Sequence, residues 1–173
     1  MIILITGASH TGKTLLAQKM LEKYNYPYLS IDHLKMGLIC SGNTDLTPED
    51  DDELIVYLWP IIREMIKTAI ENNQNLIVEG CYIPFGWRKD FDDKYLGNIR
   101  FICLAMTAKY IDVHFDEIKA HASDIESRFE DEYITVQQLR EDNQAYIRGC
   151  YENGESVTLI DEDYEQVIKL LLK

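Results

Sequence analysis

Short branched-aliphatic runs alternating with helical patterns predict an α/β protein, a three-layer fold with a parallel sheet covered by helices on both faces. Three observations carry this. Apolar runs at 2–6 (IILIT), 75–80 (NLIVEG), 99–106 (IRFICLAM) and 156–161 (SVTLID) have the length and composition of buried parallel strands, with 27–32 (PYLSID) a weaker fifth. Apolar residues at helical spacing fill the intervals between them. No linker, repeat or low-complexity segment divides the 173 residues, so 1–173 reads as one domain.

Taken in order, the first strand runs into GASHTGKT at 7–14, and KTLLAQKMLEKY at 13–24 reads as the helix that follows. After the second strand comes HLKMGL, whose helix Asp32 can cap. Segment 41–53 is polar, with Gly42 and Pro48, and its acidic run is the start of a solvated helix, where carboxylates favour the N-terminal dipole. Leu54, Ile55, Leu58, Ile62, Met65, Ile66, Ala69 and Ile70 recur at steps of three and four; Pro60 should make that helix kink or restart. Segment 114–132 is crowded with charge and reads as an excursion over the sheet edge. Leu139, Tyr146, Ile147, Cys150 and Tyr151 mark the last long helix before the strand at 156–161.

Composition narrows the partners. A net charge of -13 argues against a general nucleic-acid binder, because polyanion binding needs a basic surface that releases counterions. A small anion remains suitable if a few cations are focused in one cleft. The opening has no basic region, and its apolar run is too short for a signal peptide or a membrane span, so a cytoplasmic protein without a membrane partner is expected. Cys40, Cys81, Cys103 and Cys150 are far apart without CxxC spacing, which predicts reduced, mostly buried thiols.

The stretch at 7–14 matches G-x-x-x-x-G-K-[ST], with a strand pattern before it and a helix pattern after it. Gly7 and Gly12 allow backbone angles that a side chain would block, so that N–H groups can turn inward around an oxyanion. The positive end of the following helix adds to the attraction. Gly7, Ala8, Ser9, His10, Thr11, Gly12, Lys13, Thr14 and Leu15 are therefore the candidate nucleotide-binding residues. Lys13 suits the β- and γ-phosphates and the Thr14 hydroxyl suits Mg²⁺, which makes ATP and Mg²⁺ the expected cofactors.

With that loop, a second strand leading to Asp32, a third ending in IVEG, and a charged, arginine-bearing stretch before a late helix, the chain resembles the P-loop small-molecule and nucleoside monophosphate kinases. Adenylate kinase, shikimate kinase, gluconate kinase and the chloramphenicol phosphotransferases share the arrangement. The resemblance implies a five-stranded parallel sheet in the order 2-3-1-4-5, an acceptor-binding flap at about 33–60 and a lid at about 114–132. It makes Asp32 the residue that orients or deprotonates the acceptor hydroxyl, with Ser30 where a second acid often stands. EGCYIP resembles the DGFPR stretch of adenylate kinases, giving Glu79 a role toward Mg²⁺ or substrate; no arginine follows Pro84 directly, and Arg88 is the nearest.

Lid arginines in such enzymes stabilise the migrating phosphoryl group. Arg128 is the first candidate here, with Arg140 and Arg148 behind it, while Lys35 and Arg63 are candidate anchors for an anionic acceptor. Tyr82, Phe85 and Trp87 could line the acceptor pocket, though aromatic residues after a strand more often fill the core. The implied activity is an adenylate kinase-like, ATP-dependent transfer to a small hydroxyl- or phosphate-bearing acceptor. The alternative is a regulatory nucleotide-binding protein acting through a protein partner, but the N-K-x-D guanine signature is missing and TAKY stands after the fourth strand.

Overall fold

The computed structural model describes residues 1–121 and 134–173. Its sheet consists of five parallel strands: β1 (Ile2–Gly7), β2 (Tyr28–Ser30), β3 (Leu76–Glu79), β4 (Ile99–Met106) and β5 (Thr158–Ile160), in the spatial order 2-3-1-4-5. Among the described residues the helices are α1 (Lys13–Tyr24), α2 (Ile31–Cys40), α3 (Asp51–Glu71), α4 (Asp93–Leu96), α5 (Ala108–His121), α6 (Val136–Glu152) and α7 (Tyr164–Leu171). The three-layer α/β prediction and its strand order are both found.

Strand β1 is buried along its whole length because it sits between β3 and β4. Its side chains alternate between two cores, as the two-residue period of a strand demands. Ile2 and Leu4 join Leu54, Leu58, Ile62 and Ile66 of α3; Ile3 and Ile5 join Leu16, Ala17 and Met20 of α1 and Ile168 of α7. A third cluster of Met106, Ile111, Leu139 and Ile160 closes the β5 edge.

Two local expectations are corrected. The second strand stops at Ser30 rather than at 32, because the Ser30 hydroxyl accepts from the His33 amide (3.4 Å) and starts α2; Ser30, not Asp32, is the cap. Helix α3 runs through Pro60 without restarting. Pro60 lies on the exposed side, where water can satisfy the carbonyl that loses its helical donor. Of the charged stretch at 114–132, residues 114–121 form the second half of α5, with a break at His114 (φ -113°, ψ 16°). The rest of that stretch, Arg128 included, lies outside the described residues.

All four cysteines are free thiols; Cys103 and Cys150 are buried, but Cys40 is exposed, against expectation. No helix among the described residues is long and apolar enough to cross a membrane.

Candidate active site

The loop from Gly7 to Thr14 joins the carboxyl end of β1 to α1. Gly7 (φ 146°), His10 (φ 63°) and Gly12 (φ 76°) all have positive φ, so the backbone reverses repeatedly within six residues. A Cβ at Gly7 would lie 2.2 Å from the carbonyl oxygen of Leu104 on the paired strand, and one at Gly12 would lie 1.8 Å from Tyr164 Oη. The Ala8 carbonyl oxygen ties the loop together, accepting from Thr11 Oγ1 (2.8 Å) and from Lys13 Nζ (2.9 Å). Lys13 is thus folded back over its own loop and is only 6% exposed.

Helix α1 differs from its neighbours at its N-terminus. Its cap is Gly12, which offers no side-chain acceptor, and its first turn holds no acid. Helices α2, α3 and α7 each carry at least one carboxylate there; α5 and α6 also lack one, but α6 is capped by the Thr135 side chain. The positive end of α1 is therefore left without a compensating charge from its own first turn.

Glu79 ends β3 beside this helix and is buried at 1% exposure, so it is not a surface residue at a strand end. Thr14 Oγ1 donates to Glu79 Oε1 (3.4 Å), and Tyr28 Oη donates to Glu79 Oε2 (3.0 Å). Thr14 and Glu79 are brought together across 65 residues of chain because β3 pairs with β1, Ile5 opposite Glu79.

On the other face of the sheet, α2 and α3 bring a second polar group together. Lys35 Nζ lies 3.1 Å from Asp32 Oδ1 and donates to Tyr82 Oη (2.8 Å), which in turn donates to Asp51 Oδ1 (3.1 Å). Tyr82 is 3% exposed, and burial pushes its phenol well above the ordinary range, so it acts as a neutral donor. Cys81 adjoins it, and burial pushes that thiol up to about 11, with Lys13, Asp32, Asp51 and Lys35 all acting on it electrostatically. Tyr146 of α6 closes the group by donating to the Cys81 carbonyl oxygen (3.1 Å).

Sequence reasoning missed Tyr28, Asp51, Tyr146 and Tyr164. Asp51 had a signal as part of an acidic run already explained by the helix start, and Tyr146 as one of the spaced positions of the last long helix.

Other candidates are placed elsewhere. Arg63 pairs with Glu64 (2.8 Å), twelve residues along α3 from Asp51, or about 18 Å down the helix axis. Arg88 forks onto the buried Glu155 and covers the Trp87 ring, a packing role at the start of a 3₁₀ turn. Arg140 pairs with Asp112 of α5. Arg140 and Arg148 line a groove of about 670 Å³ against Thr107 and Leu159, on the side of α6 roughly 120–160° from Tyr146.

A separate concavity of about 1040 Å³ lies where β2 and β3 begin, between Asn25, Pro60 and Asn75. Glu64 is the only charged residue lining it, so it has no cation for a phosphate and no second group for acid–base work. Among the described residues no cluster of three or more His, Cys, Asp or Glu could hold a metal ion.

No family model and no curated protein matches the chain. Solved structures do. A sugar kinase from Janibacter is 19% identical, with 99% of this chain and 91% of that one covered and a TM-score of 0.57. Deoxyadenosine kinase from M. mycoides, solved with dCMP and dCDP, is 17% identical over 99% and 97%, TM-score 0.57. A gluconokinase from Sinorhizobium meliloti is 14% identical over 98% and 88%, TM-score 0.53.

Proposed function

We propose that this chain, whose fold is that of the P-loop kinases, is an ATP-dependent phosphotransferase acting on a small hydroxyl-bearing acceptor. One observation carries the reading: the positive end of α1, capped by a bare glycine, opens beside Lys13, Thr14 and the buried Glu79. That combination suits a polyphosphate and its divalent cation and has no evident use in packing alone.

In this reading the amides of residues 8–15 and Lys13 hold the phosphate tail, Lys13 exchanging the Ala8 carbonyl for a phosphate oxygen. Thr14 Oγ1 and the Glu79 carboxylate are hard oxygen donors of the kind Mg²⁺ takes, and Mg²⁺ commonly completes its shell with water and phosphate oxygens, so two protein donors fit. When bound, the ion supplies charge neutralisation on the phosphates. Asp32, in the first turn of α2, receives the proton of the acceptor hydroxyl, and Lys35 holds its carboxylate in place. Arg128 is the proposed lid arginine that meets charge developing on the migrating group.

The test is ATP·Mg²⁺ binding by calorimetry alongside a phosphoryl-transfer screen, in the chain and in Lys13→Ala. Binding competed by ADP, with turnover abolished in the variant, is the expected result. Equal turnover in Lys13→Ala removes the assigned role.

A further inference from the structure

We propose, resting on the phosphotransferase reading, that the acceptor is an uncharged polyhydroxyl compound selected by the Asp32–Lys35–Tyr82–Asp51 network. The network alternates in sign and is internally bonded. Lys35, with its side chain 12% exposed, is held between the Asp32 carboxylate and the Tyr82 oxygen, and Tyr82 spends its proton on Asp51. Asp32, Lys35 and Asp51 together carry a net charge of minus one, so a phosphate or carboxylate on the acceptor meets two carboxylates and a lysine already engaged by both neighbours. A cationic group meets that same lysine. A neutral compound with adjacent hydroxyls suits both signs, donating to carboxylate oxygens and accepting from the ammonium.

A second, independent feature points to a ligand hydroxyl. Thr6 lies on β1 on the same face as Leu4, with its side chain toward α6, and is 1% exposed. Tyr146 Oη is committed to the Cys81 carbonyl; Thr6 Oγ1 approaches that phenol without completing a hydrogen bond and has no partner. A buried hydroxyl left unpaired is costly, and a hydroxyl reaching in beside Cys81 satisfies it. Three arginines that could have welcomed an anion are engaged by carboxylates, Arg63 by Glu64, Arg88 by Glu155 and Arg140 by Asp112, and Arg148 lies with Arg140 on the groove side of α6, away from Tyr146.

The experiment measures ATP-dependent transfer to matched acceptors that differ in charge: glucose, gluconate and glucosamine; ribose and ribose 5-phosphate; adenosine and AMP. Lys13→Ala is the blank and ATP·Mg²⁺ binding is recorded in parallel. For every set that turns over, kcat/KM should favour the neutral member by about 100-fold or more. Lys35→Gln, its fold checked by circular dichroism, should shift preference toward glucosamine by about 10-fold, because Asp32 loses its cation. Preference for an anionic or cationic member in the unmodified chain overturns the inference and leaves the phosphotransferase reading intact. No turnover above the blank in any set overturns both.

Discussion

Replacing Gly12 with alanine is the sharpest test of how the loop is held. Two costs are separable. Gly12 has φ 76° and ψ 28°, and holding a residue with a side chain in that left-handed region costs about 1–2 kcal/mol. Its new Cβ would lie 1.8 Å from Tyr164 Oη and 2.7 Å from Tyr164 Cζ, so the ring must move, at an overpacking cost of roughly 1–3 kcal/mol. The sum, roughly 2–5 kcal/mol, is a large share of the stability of a domain this size. Guanidinium unfolding followed through Trp59 and Trp87 reports it globally, since both lie in the α3 core and neither touches the loop.

A cycle with Tyr164→Leu divides the cost. The Tyr164 hydroxyl is buried without a partner, so losing it breaks no hydrogen bond, and the smaller side chain gives the new Cβ room. The double variant should therefore be more stable than the sum of the singles by about 1–3 kcal/mol, while the backbone term persists. Gly37→Ala is the control: no atom lies within 4 Å of its Cβ and it sits inside α2, so it should gain about 1 kcal/mol. A Gly12→Ala chain within about 0.5 kcal/mol of the parent, or strict additivity in the cycle, would refute the account.

Three further outcomes are expected. Asn143→Leu should destabilise by about 1–3 kcal/mol in urea unfolding, because Asn143 Oδ1 accepts the Met106 amide (2.7 Å) in a buried site and leucine leaves that donor unpaired; an unchanged midpoint contradicts this. Arg88→Ala should cost about 3 kcal/mol and Glu155→Gln less, since the first strands a carboxylate that is 5% exposed; the reverse order would show that the pair is not held this way. Cys81 titrates at about 11 instead of 9.0, so between those values the folded chain binds more protons than the unfolded one. Stability should then fall as pH rises through that window, by up to about 1.4 kcal/mol per unit, with nothing from this group below it. Urea midpoints near pH 8 and pH 10.5 in the parent and in Cys81→Ala check this, and identical pH slopes count against it.

Much of the fold was legible because its signals are local. A buried parallel strand must be apolar on both faces, so β1 and β4 stand out as continuous runs, and a loop that reverses its backbone around an anion needs glycines at set positions. Boundaries were harder to read. Ser30 and Asp32 both suit a helix start, and only the position of the His33 amide decides between them. The arginines were the least legible: Arg88 and Arg140 answer to carboxylates that the fold brings from 67 and 28 residues away, and Arg63 turns to its own neighbour Glu64.

The sequence by itself determined the layer architecture, the loop at 7–14 and the roles open to Lys13 and Thr14, since periodicity and backbone permissiveness are properties of neighbouring residues. Tertiary structure alone decided that Glu79 meets Thr14, that Lys35 is enclosed by Asp32 and Tyr82, and that Tyr164 presses on Gly12. Those pairings come from strand order and helix packing, which join segments tens of residues apart, and no local pattern of residue types records which distant partner a charge will find.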